Sequence, residues 1–143
     1  MLYPVVHDLR SPLSHAYAVV SALAGTPTSN VLRLERNVSG RRDPANPMPN
    51  PVLFEILAAL GFSIEHLLGY IPPASLKRFV YYNGPALIPG RGAVIVHTPK
   101  IMAAIDRDFF VASSYPVPTP LEEWPRKWRV ESAEAVRRVS LPP

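Results

Sequence analysis

The chain has no cysteine among its 143 residues, which excludes a disulfide framework and a thiolate metal site and fits a reducing compartment. Long apolar runs are missing as well. The fullest, Val52 to Leu60, is interrupted by Glu55 and falls short of the roughly 20 residues a bilayer span requires. No lysine or arginine precedes Arg10, and no apolar stretch ends in a small-residue cleavage site, so no signal peptide is expected. The expected location is the cytoplasm, with no membrane partner. Charged residues are few at 18%, but the 48% of apolar ones supply a folded core and exclude a chain that is disordered throughout.

Proline, by contrast, is abundant, with eighteen residues spread along the chain rather than gathered in one tract. They set expected boundaries. Pro4, Pro12 and Pro27 suit first-turn or pre-helix positions, Pro44 to Pro51 forms a Pro/Asn-rich loop, and Pro72-Pro73 marks a division near residue 71. The formal charge of +4 is unevenly placed. Arg10, Arg33, Arg36, Arg41 and Arg42 balance Asp8, Glu35, Asp43, Glu55 and Glu65 in residues 1–70, so the excess lies in residues 71–143. Within the first part, however, Arg33, Arg36, Arg41 and Arg42 crowd one short stretch with Glu35 as its only acid.

The spacing of Val19, Val20 and Leu23 within Tyr17 to Ala24 predicts a helix ended by Gly25. Thr26-Pro27 then reads as N-cap and first position of a second helix over 27–36, with Val31 and Leu34 on its inner side. A further helix is expected over Pro51 to Leu60 and another after the cap Ser63, with Ile64, Leu67 and Leu68 inward. Pro4 to Arg10 is expected to be a short first helix. The rest reads differently. Phe79 to Tyr82, Gly92 to His97 and Phe109 to Ala112 are rich in β-branched and aromatic residues and predict short strands, separated by turn signals at Asn83-Gly84, Pro89-Gly90 and Asp106 to Asp108. Helices are expected over Pro99 to Asp106 and Ala133 to Val139, and an extended segment over residues 115–120.

Ser21, Gly25, Val31 and Leu34 stand at the spacing of a small residue, a turn glycine and two aliphatics, and Leu34-Glu35-Arg36 follows them. This pattern resembles the helix-turn-helix of the Cro and lambda-repressor (Xre) family, in which glycine turns the chain and the aliphatics seat a recognition helix. Downstream, Leu53, Ile56, Leu60, Gly61, Phe62, Ser63 and the run Ile64 to Gly69 are similar to that family's fourth and fifth helices. The likeness covers about residues 4–70. Four features depart from it: Ser21 replaces the usual alanine, the first helix is short, the loop Asn37 to Asn50 is long, and Tyr17 stands where many members have a phosphate-contacting glutamine.

The resemblance implies an α+β chain. An all-α, lambda-repressor-like five-helix DNA-binding domain would occupy residues 1–70, followed by a small α+β region, residues 71–143, for dimerisation or partner binding. It implies a homodimer on double-stranded DNA with helix 27–36 in the major groove. Thr28, Ser29, Asn30 and Arg33 would read base edges, while Arg36, Asn37, Ser39, Arg41 and Arg42 would lie near phosphates. Thr26, capping that helix, and Tyr17, through its hydroxyl, complete the expected contact set. The implied function is a sequence-specific transcriptional regulator, most simply a repressor, without cofactor or metal. Two other classes stay open: a non-enzymatic interaction factor, such as a phage factor acting on the transcription machinery or an antitoxin, and a viral protein coating DNA without sequence preference.

No catalytic set is expected. Ser113, Ser114 and Lys100 lack the Ser-Met pair and Gly-Asp turn of the self-cleaving peptidases found in some repressors. His7, His15, His66 and His97 have no metal-ligand spacing, and Asp106 and Asp108 read as solvated turn acids. Gly84, Gly90 and Gly92 spell no phosphate loop. Trp124 and Trp128, with the apolar strands of residues 79–112, suit either a partner surface, an effector pocket or the region's own core, and Arg126, Lys127 and Arg129 place positive charge beside them.

Overall fold

The computed structural model describes residues 1–44, 47–67, 69–70, 72–83 and 92–139, apart from the side chains of residues 82 and 83. In chain order the elements are α1 (His15–Ala24), α2 (Thr28–Ser39), α3 (Asn50–Ala59), β1 (Phe62–His66), α4 (Leu76–Asn83), β2 (Ala93–His97), β3 (Met102–Asp106), β4 (Phe109–Ala112), β5 (Tyr115–Pro120), a 3-10 turn (Leu121–Glu123) and β6 (Ser132–Arg138). The six strands form one sheet in the order β1-β6-β2-β3-β4-β5, antiparallel throughout. A five-helix N-terminal domain does not form. Three helices and a strand occupy its place.

α1 begins where Ser14 accepts a hydrogen bond from the Tyr17 N–H, and every residue from Ala16 to Leu23 is buried. A helix apolar on all sides belongs inside, and this one lies against β3 and β4 with α2 beside it. Gly25 ends it in the left-handed region at φ 69°, and a Cβ there would meet the Tyr3 ring at 3.1 Å. In α3, Leu53, Ile56 and Leu57 are fully buried at i, i+3 and i+4. Gly61, at φ 90°, then turns the chain into β1.

Alternation along the strands divides the apolar residues between two cores. Ile95, Ala104, Val111 and Val136 face α1, α2 and α3; Val94, Val96, Ala103, Ile105 and Phe110 face the opposite way, towards Phe79 of α4 and Trp124. The tryptophans belong to that second core. Trp124 and Trp128 meet edge to face at 5.4 Å, both pack on Phe110, and the Trp124 Nε1–H donates to the Trp128 carbonyl at 2.9 Å. β1 pairs with β6, from Phe62 opposite Arg138 to His66 opposite Glu134, so the sheet draws on both sides of residue 71.

Several local expectations are corrected by these pairings. Ser63 starts no helix: Phe62 and Ile64 also fit a two-residue period, and the free edge of β6 selects the strand. Ala133 to Val139 is expected to be helical, yet Ser132–Arg138 is a strand held between β1 and β2. Pro99 to Asp106 is not a helix either. There the Thr98 hydroxyl oxygen accepts the Lys100 and Ile101 N–H groups, closing a tight turn before β3. Phe79 to Tyr82, expected as a strand, falls in α4, whose first turn is held by Ser75 accepting the Arg78 N–H. The segment 4–10 is not a helix but an irregular stretch that bends at residues 9–11, with the Val5 N–H on the Pro116 carbonyl and the Thr28 N–H on the Val6 carbonyl. Strands β2 and β4 and the extended segment 115–120 lie where the sequence puts them. The turn signals at Gly84 and Pro89-Gly90 lie outside the described residues. No described helix is long and apolar enough to cross a membrane.

Candidate functional site

α2 carries most of the residues singled out in the sequence, and its two ends are built differently. At the start, Pro27 occupies the N-cap and offers no side-chain acceptor. Asp8, reaching over from the N-terminal segment, takes that role: one carboxylate oxygen accepts the Ser29 N–H at 2.8 Å and the other its hydroxyl at 2.6 Å. These bonds hold the Asp8 carboxyl below the usual carboxylate range. The Thr28 hydroxyl donates to Asp8 at 3.2 Å, accepts the Asp8 N–H at 3.1 Å and lies 3.0 Å from the His7 ring. Thr28 is fully buried.

Of the four expected base readers, then, Thr28 faces inward and Ser29 is bound to Asp8. Asn30 is half-buried, donating to the Thr26 hydroxyl at 2.8 Å and accepting from the exposed Arg33 guanidinium at 3.0 and 2.7 Å. Tyr17 is also committed. It is buried, its hydroxyl donates to Glu35 at 2.7 Å, and burial, with the carboxylate adding to it, pushes its pKa well up. A phosphate contact by that hydroxyl is not available in this arrangement.

The far end is open. Gly40, at φ 68° and with nothing within 4 Å of the place a Cβ would take, terminates α2 and turns Arg41 and Arg42 back towards it. The Arg36 Nε–H donates to the Arg42 carbonyl at 2.8 Å, and the Arg41 N–H to the Ser39 hydroxyl at 3.2 Å. Arg33, Arg36, Asn37, Arg41 and Arg42 are all exposed. Glu35 is the only acid of α2, and it is turned inward at 2% exposure. Its position four residues after the buried Val31 carries that signal in the sequence. Among the described residues none of Arg33, Arg36, Arg41 and Arg42 pairs with a carboxylate. The outer side of α2 is therefore more positive than the sequence charge count of the stretch suggests.

A second concentration of polar side chains lies at the start of α1. His15 Nδ1 is 2.7 Å from the Ser113 hydroxyl, and His97 of β2 meets Glu134 of β6 at 2.5 Å, both members of this pair being largely buried. Among the described residues no group of three or more His, Asp or Glu side chains could hold a metal ion. Of the turn acids, Asp106 is buried and Asp108 exposed.

No protein family model, curated protein or solved structure matches this chain. What distinguishes its surface chemistry is the contrast within α2. Backbone and hydroxyl donors at its start are already satisfied by Asp8, whereas guanidinium donors at its end project into solvent.

Proposed function

We propose that the protein is a non-enzymatic, cytoplasmic nucleic-acid-binding factor that holds the phosphate backbone of double-stranded DNA against the outer side of α2. The supporting observation is the inward turn of Glu35, which leaves Arg33, Arg36, Arg41 and Arg42 as a cationic surface with no outward acid on the helix. Guanidinium groups bind phosphate through paired N–H donors, and such contacts release counterions irrespective of base sequence. Base readout is less favoured, because Thr28 is buried and Ser29 is held by Asp8. The geometry thus favours a protein that coats or holds DNA over an operator-reading repressor.

The test is fluorescence anisotropy with a duplex of random sequence. Four phosphate contacts give an affinity that falls about a hundredfold between about 50 and 200 mM salt. Replacing the four arginines by alanine removes most of that salt slope. A variant binding with the slope of the original chain, or no binding by the original chain, would reject the proposal. Selection from random duplexes that returned one palindromic motif would replace it with sequence-specific regulation.

A further inference from the structure

A cleft of about 340 Å³ opens where α1 and α3 both begin, beside the turn between β2 and β3. Its polar lining includes His15, Asn50, His97 and Lys100, and its apolar lining includes Met48 and Met102. That volume lies at the small end of the range of ligand sites.

Among the described residues, Lys100 is the one lysine, arginine or carboxylate side chain that lines the cleft. His15 and Lys100 are exposed at the cleft, and no carboxylate is among the lining residues. Glu134, the acid bonded to a lining side chain, is itself nearly buried and faces His97. Among the described residues Lys100 forms no ion pair. His15 Nδ1 lies 2.7 Å from the hydroxyl of Ser113, a residue outside the lining. Both helices that meet here are ten residues long and start at the cleft, and neither carries an acid in its first turn, so their positive ends add to the same field. Met48, buried, and Met102, half-buried, supply polarizable apolar surface to the same cleft as Lys100.

We infer that this cleft binds a small organic anion, a carboxylate or phosphate monoester with a short apolar body, whose charged end meets Lys100 and His15 and whose body lies on Met48 and Met102. The site is separate from the arginine side of α2 and is tested separately. Benzoate and phenyl phosphate serve as probes, with benzyl alcohol as the uncharged counterpart, each titrated into the full chain while backbone amide NMR shifts are followed.

Binding of either anion, with shifts at His15, Thr98 and Lys100, is the expected result. Lys100→Glu, at an exposed position, should weaken that binding by about tenfold or more, as the loss and reversal of one charge-assisted contact does. The four-arginine variant should bind the probe as the original chain does, even if DNA binding proves absent. The inference is overturned if neither anion binds at about 10 mM, if benzyl alcohol binds as tightly as the anions, or if Lys100→Glu binds unchanged. Unchanged amide spectra for the variants confirm that they are folded, so a loss of binding reports on the cleft.

Discussion

The two glycines that bracket α2 have nearly the same backbone, φ 69° at Gly25 and 68° at Gly40, in opposite surroundings. Gly25 lies against the Tyr3 ring, beneath an N-terminal segment that also delivers Asp8 to the helix start; Gly40 has open space around it. The helix-turn-helix resemblance makes the entrance of α2 its expected reading end, at Thr28, Ser29 and Asn30. The fold closes that entrance and leaves the exit to solvent. What a helix can touch is set by what packs on it, not by which residues it carries.

This contrast can be broken by substitution, and the largest effect is expected at the closed end. Gly25→Ala combines a left-handed conformation with a clash at the Tyr3 ring and should cost about 3 kcal/mol in chemical denaturation. Near equality with Gly40→Ala would show that the N-terminal segment does not seal the entrance. Next, Tyr17→Phe removes a buried hydroxyl that donates to Glu35 and should cost about 2 kcal/mol.

The same substitution has a pH signature. Because the Tyr17 pKa is raised in the folded chain, its contribution is fully present below the ordinary tyrosine value near 10 and is lost as the pH climbs past it. Tyr17→Phe should therefore flatten the alkaline limb of stability; a limb of unchanged steepness would remove Tyr17 as its cause.

Gly40→Ala, with only the backbone conformation against it, should cost about 1 kcal/mol in chemical denaturation. The smallest effect belongs to Asp8→Asn. Asp8 has a lowered pKa, so its stabilisation is present above the ordinary carboxylate value and fades as the pH falls through the folded-state value. The variant should lose part of the acid limb, more at low salt than at high, since the carboxylate is fully exposed. An identical acid limb in the variant would mean that water caps α2 equally well.

The helices α1, α2 and α3 were legible because their signals are local: Val19, Val20 and Leu23 with the stop at Gly25 mark α1, and Leu53 and Ile56 repeat at helical spacing in α3, whereas the Ser14 cap that starts α1 two residues earlier was not read. β1 and β6 were not. Phe62 to His66 satisfies two periods at once, and Ala133 to Arg138 contains good helix formers that sheet pairing overrides. α4 misled in the opposite sense, since its aromatic residues resemble a strand until Ser75 caps them. At the candidate interface the exposed arginines could be anticipated from composition. The burial of Thr28 and Tyr17 could not, because it depends on Asp8 and Glu35, which lie about twenty residues away in sequence.

The position of β6 has a consequence for how the molecule assembles. It follows every other element in the chain, yet it lies between β1 and β2, about seventy residues from its partner Phe62 to His66. Until it is placed, both of those strands present bare backbone edges, the kind of surface on which nascent chains stick to one another. Completion of the sheet must then wait on a long loop closure, which predicts slow folding despite the helix-rich beginning.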